Sequence, residues 1–188
     1  MLRNAARKCA ALFAGCLLTL SLAVSAQTRQ LLNYEAIHKP AAGTAGMVVS
    51  QNEAASRAGA QVLRDGGNAV DAAVATAFVL AVTLPRAGNI GGDGFMLIHL
   101  AGTDQYTAID YRSAAPALAT LDAYVGEDGE LQGHSAGIRS AGVPGTVAGL
   151  ALAHEKYGRL PWKRLLEPAI AMARDGIVLS ADEAFALE

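Results

Sequence analysis

The chain is poor in the groups that most directly announce a chemistry. Its 188 residues include 2 cysteines, 5% aromatic residues and 17% charged residues. Both cysteines, Cys9 and Cys16, fall within the first 26 residues, so the remainder has no means of forming a disulfide. The four histidines, His38, His99, His134 and His154, stand singly, and none shows a paired-ligand spacing such as H-E-x-x-H. His99 in a strand-like segment and His154 in a helical one read as structural or surface histidines. No serine sits in a G-x-S-x-G elbow. The 15 basic and 17 acidic residues give a net charge of −2 without a basic cluster, which excludes the electrostatic footprint of a nucleic-acid-binding protein. No internal repeat or low-complexity tract is present.

What the chain does have is 52% hydrophobic residues, and part of that excess lies at its start. "MLRNAARKCAALFAGCLLTLSLAVSAQ" opens with Arg3, Arg7 and Lys8, continues as an apolar run and closes on Val24-Ser25-Ala26. This three-part pattern is that of a secretory signal peptide over residues 1–26, with a mature terminus at Gln27 and an oxidising compartment outside the cytoplasm. An uncleaved membrane anchor is the alternative, since the run approaches the ~18–20 residues that a span needs. Residues 27–188 suit one domain with a real core.

Helical signals dominate that domain. Ser50 with Glu53 reads as a capping box for a helix over "QNEAASRAGAQVLRD", which Gly66 stops. Asn68 caps a second helix with Asp71 in its first turn, and "AVDAAVATAFVLAVTL" is apolar nearly all round, as in a helix sandwiched between layers; Pro85 ends it. "FMLIHL" and "QYTAIDYR" form a hairpin about the turn "AGTD". The first strand is apolar on both faces, as if covered on both sides. In the second, Tyr106, Ala108, Asp110 and Arg112 share one side, and Thr107, Ile109 and Tyr111 the other. "VPGTVAGLALAHEKYG" is a helix closed by Gly158. Pro161 opens a short helix, and Pro168 opens another that Gly176 ends. Ser180 with Glu183 is a further capping box, one or two turns before Glu188. So short a helix has no stability of its own, and the chain is expected to be the front part of a longer protein. The element order predicts a layered α/β or α+β arrangement.

Two features carry chemistry. The loop in "GNIGGDGFMLIHL" packs four glycines into seven residues, but no Gly-Lys-Ser/Thr follows it, and it leads from helix to strand where a dinucleotide fingerprint leads from strand to helix. It reads as a tight turn with close backbone contacts. Arg112 closes a strand in "IDYRSAAP", where a guanidinium can make a bidentate pair with a carboxylate; a salt bridge to Asp110 is the plainer alternative.

Taken together, "GMVVSQNEAASRAGAQVLRDGGNAVDAAVATAFVLAVTLP", "GNIGGDGFML", "DYRSAAP", "SAGVPGTVAGLALAHEKYGRLPW" and "LLEPAIAMARDGIVLS" resemble the gamma-glutamyltranspeptidase family, in the family's order from Gly46 to Ser180. The resemblance implies an N-terminal-nucleophile hydrolase fold, a layered αββα arrangement of which this chain holds the N-terminal portion. It implies a secreted or periplasmic precursor that cuts itself into a large and a small chain. A threonine exposed by that cut attacks the γ-glutamyl amide of glutathione and related compounds and passes the γ-glutamyl group to water, an amino acid or a peptide. It implies no cofactor and no metal. The arginine of the family's D-[FY]-R-x-x-A-P segment holds the donor's α-carboxylate, and the matching residue is Arg112. The nucleophile stands in a Thr-Thr-His context, which Thr103, Thr107 and Thr146 lack, so no catalytic residue is assigned here and the chain alone is expected to be inert. Asp93 departs from the family, which usually has glycine there. Two alternatives stay open: a cephalosporin acylase–like amidase, and a non-enzymatic periplasmic binding module for amino-acid-like ligands.

Overall fold

In the computed structural model, residues 42–131 and 137–187 are described. The expected leader, both cysteines, His38, His134 and Glu188 lie outside them.

Helix α1 (Glu53–Arg64) starts two residues later than the sequence predicts, because Asn52 rather than Ser50 is its N-cap. Asn52 Oδ1 accepts from Ala55 N at 3.2 Å, and its amide nitrogen donates to Thr83 O at 3.3 Å. The cap therefore also ties the start of α1 to the end of the next helix. Ser50 instead donates to the Asn52 carbonyl. Gly66, at φ +91°, then turns the chain in the left-handed region.

Helix α2 (Ala69–Thr83) is central to the packing of the described residues. Asn68 and Asp71 form the expected capping box, with Asn68 Oδ1 accepting from Val70 N and Asp71 N and Asp71 Oδ2 accepting from Asn68 N. Val70, Val74, Ala75, Phe78 and Val79 are buried on several sides of the helix. The buried Thr76 and Thr83 hydroxyls donate to the carbonyls four residues back, so the apolar surroundings leave no hydroxyl unpaired there.

Asp71 does more than cap. Fully buried, it also accepts from Arg159 N at 3.0 and 3.1 Å and from Leu160 N at 3.4 Å. His154 Nε2 lies 3.9 Å from Asp71 and donates to the Leu160 carbonyl at 2.7 Å. One carboxylate thus joins the start of α2 to a turn nearly ninety positions downstream.

Strands β1 (Phe95–Leu100) and β2 (Gln105–Asp110) pair antiparallel, from Phe95 opposite Asp110 to Leu100 opposite Gln105. Ile98 and Ile109 enter the core, and Met96, Leu100 and Tyr111 pack against it. The opposite face is open: Phe95 is 69% exposed and Leu97 76%. The expectation of a strand covered on both sides is therefore not met within the described residues. Among the described residues, helices pack on one face of the hairpin.

Helices α3 (Thr146–Tyr157) and α4 (Trp162–Asp175) complete the packing around α2, with Leu150, Ala153, Leu165 and Ala169 buried. The sequence predicts two helices across Pro161–Arg174; there is one, with Pro168 inside it. An interior proline costs about 3 kcal/mol. Burying Leu165 completely contributes about 1.5–3 kcal/mol, and the Trp162 ring meets Phe78 edge-on at 5.4 Å. Neither anchor would hold if the helix were split into pieces too short to persist.

Helix α5 (Ala181–Ala186) has half of its expected capping box. Ser180 Oγ accepts from Glu183 N, but the Glu183 carboxylate turns away to Arg86 Nε at 2.7 Å. No helix among the described residues is long and apolar enough to cross a membrane.

Candidate functional site

The glycine loop leaves α2 at Pro85 and is held from two directions. Asn89 Oδ1 accepts from Gly92 N at 2.8 Å and from Thr146 Oγ1 at 2.9 Å. The Gly92 carbonyl accepts from Gly145 N at 2.8 Å and Thr146 N at 3.1 Å, which seats the loop on the first turn of α3. No phosphate cradle is needed to explain these glycines.

Beyond β2, Tyr111 N donates to the Gly94 carbonyl at 3.1 Å, and Ala114 exchanges both backbone hydrogen bonds with Val143. The Tyr111 ring lies against Gly149 of α3, and burial raises the pKa of its hydroxyl above the ordinary value. A Cβ on Gly149 would overlap that ring. Gly149→Ala is accordingly expected to destabilise the protein by roughly 1–3 kcal/mol through overpacking, checked as a lower urea midpoint. An unchanged midpoint would mean that α3 does not press on Tyr111.

These contacts bring "GNIGGDGF", "DYRSAAP" and "SAGVPGT" together, with Arg112 at the junction. Arg112 Nη1 donates to both Asp93 oxygens, at 2.6 and 2.7 Å. Ser113 Oγ donates to Asp93 Oδ2 at 2.6 Å, and Ser113 N does so at 3.3 Å. The Arg112 side chain is 64% exposed and Asp93 21%. Among the described residues, Nε and Nη2 of Arg112 have no partner. The Ser113 hydroxyl first, and then Arg112, hold the Asp93 carboxyl below the usual carboxylate range. Asp93 therefore stays ionised through neutral pH.

The plainer alternative, a salt bridge to Asp110, is not what forms. Among the described residues, Asp110 Oδ1 accepts just the backbone N–H of Arg112, at 2.9 Å. Sequence reasoning marks Arg112 and the departure at Asp93, but misses Ser113, Asn89 and Thr146. A readable signal for the pair exists: the hairpin register, continued past Phe95 and Asp110, sets Asp93 opposite Arg112.

His99 Nε2 contacts Asp104 at 3.1 Å and stacks on Tyr106, and His154 serves the Asp71 anchor; neither faces Arg112. No group of three or more His, Cys, Asp or Glu among the described residues is placed to hold a metal ion. An apolar groove of about 460 Å³ runs between Met47–Gln51 and α2, but it is lined by no charged side chain and by no member of the Arg112 cluster.

Fold and site together define a mixed α/β protein that presents an anchored, half-free guanidinium, a group suited to taking up a carboxylate. The sequence model of the gamma-glutamyltranspeptidase family matches residues 55–188. The glutathione hydrolase proenzyme of Pseudomonas aeruginosa is 49% identical over 142 residues, covering 74% of this chain and 25% of its own. That of Escherichia coli is 45% identical over 152 residues, covering 78% and 25%. Among solved structures, Helicobacter pylori gamma-glutamyltranspeptidase matches with a TM-score of 0.75 and 42% identity, over 79% of this chain and 43% of the other. The chain belongs to the gamma-glutamyltranspeptidase family, and it spans about a quarter of the length of the curated relatives it matches.

Proposed function

We propose that this chain is the N-terminal part of the large subunit of a gamma-glutamyltransferase, or glutathione hydrolase, with Arg112 as the residue that binds the α-carboxylate of the γ-glutamyl donor. The fold in this reading is the N-terminal-nucleophile hydrolase fold, layered αββα when the polypeptide is whole. The substrates are glutathione and other γ-glutamyl compounds, and the acceptors are water, amino acids or dipeptides. The partner is a small subunit cut from the same precursor, which supplies the threonine nucleophile. Residues 1–26 direct the protein to the periplasm or outside the cell, and residues 27–188 belong to the catalytic domain.

The observation that supports this reading is the convergence of three separate sequence segments on one surface guanidinium, two of whose nitrogens have no partner among the described residues. A glutamyl donor carries its α-carboxylate away from the amide that is cleaved. An arginine at a strand end can grip that group without touching the reacting atoms, and so fixes the donor's orientation.

The 188-residue chain, purified alone, is expected to show no release of p-nitroaniline from γ-glutamyl p-nitroanilide, because nucleophilic attack and stabilisation of the developing oxyanion need groups it lacks. The processed two-chain enzyme that contains it should turn the compound over. Sustained turnover by the purified chain, after removal of contaminating enzyme, would overturn the assignment of the nucleophile to a partner subunit.

A further inference from the structure

We propose that Asp93 competes with the donor's α-carboxylate for Arg112, and thereby lowers the enzyme's affinity for the normal donor and its preference for that donor over one without the group. The inference deepens the reading of Arg112 given above and rests on it.

Three observations carry it. Both Asp93 oxygens lie on a single nitrogen of Arg112, so the cation has a counter-ion before any ligand arrives. Asp93 is also fastened independently of Arg112. The Ser113 hydroxyl and backbone N–H both donate to Oδ2, which keeps the carboxylate at this point on the surface when the arginine is called elsewhere. Finally, Asp110 lies on the same side of the hairpin end and takes the Arg112 backbone N–H. Asp110 makes no ion pair with the guanidinium, so among the described residues Asp93 is the carboxylate that holds it. An incoming carboxylate either displaces Asp93 from Nη1 or settles on the free Nε and Nη2 edge of a cation that is already neutralised. In both cases Asp93 weakens the attraction. A donor without an α-carboxylate meets no such opposition, and gains nothing from Arg112.

The test uses Asp93→Asn, which keeps the side chain's shape and removes its charge, with Asp93→Gly as a second variant, each in the processed two-chain enzyme. For γ-glutamyl p-nitroanilide, KM is expected to fall about two- to fivefold, the range that an exposed ion pair supports, with kcat within about twofold of the parent. For the 4-aminobutyryl anilide, which lacks the α-carboxylate, kcat/KM is expected to stay unchanged. An unchanged or raised KM for the normal donor in both variants would overturn the proposal, as would equal shifts for both donors. Arg112→Ala, assayed alongside, separates the two ideas. If it lowers kcat/KM for the normal donor while the Asp93 variants do nothing, Arg112 binds the carboxylate and Asp93 does not compete. If Arg112→Ala leaves kcat/KM unchanged, the reading of Arg112 itself has failed.

Discussion

Arg112→Ala in the processed enzyme is expected to lower kcat/KM for a γ-glutamyl donor about thirtyfold to a hundred-and-fiftyfold. Removing one partner of a hydrogen-bonded charge pair costs about 2–5 kcal/mol when the site is dry. The guanidinium is 64% exposed on this chain, so the lower part of that range, about 2–3 kcal/mol, is the fitting expectation. The variant also leaves Asp93 without its cation and close to where the donor's carboxylate would sit, so repulsion adds to the lost attraction. Arg112→Lys should restore only part of the loss, since an ammonium cannot reproduce the planar fork. The control is a donor without the α-carboxylate, on which the parent and Arg112→Ala should act equally poorly. Parent-like kcat/KM for Arg112→Ala on the normal donor would reduce Arg112 to the surface counter-ion of Asp93.

The second large effect lies in the core. Asp71→Ala is expected to lower stability by about 3–5 kcal/mol, since each buried donor left without its acceptor costs about 1–3 kcal/mol. Three backbone donors, Asn68 N, Arg159 N and Leu160 N, would lose an acceptor that is itself fully buried. Asp71→Asn keeps one oxygen and most of the volume, and should cost about 1–3 kcal/mol. Denaturant midpoints of the processed enzyme measure both. Asp71 is remote from Arg112, so the folded variants should keep the parent's KM. A loss below about 1 kcal/mol for Asp71→Ala would mean that the 159–160 turn is held by other contacts.

The parts of this molecule that were legible in the sequence are those set by neighbours in the chain. The Asn68–Asp71 box, the Gly66 stop and the alternation of Thr107, Ile109 and Tyr111 each depend on residues a few positions apart. The misreadings arose where a distant contact chose between local options. Ser50 and Asn52 are both good caps, and the carbonyl of Thr83 favoured Asn52. Pro168 looks like a helix start until the shared burial of Leu165 and Ala169 is known. Strand β1 looks two-sided because Phe95 and Leu97 are apolar, yet sequence does not say which layer faces them. At the site, position at a strand end marks Arg112, and the family resemblance gives it a role. Its partner Asp93 is set by the hairpin register, but Asp110 is nearer along the chain and hides it.

The seating of the glycine loop on α3 also bears on the order in which the protein assembles. Asn89 reaches Thr146 across 57 positions, and Gly92 depends on the same turn. Closing so long a loop costs chain entropy before any hydrogen bond repays it, and contacts of this range form late. The hairpin, whose strands are joined by four residues, can form in microseconds and set Asp93 beside Arg112 early. The loop beside them stays unfixed until α3 docks. A two-stranded hairpin is marginal by itself, so the Asp93–Arg112 pair is expected to persist, and the loop beside it to be framed, only once residue 146 and the rest of α3 are in place.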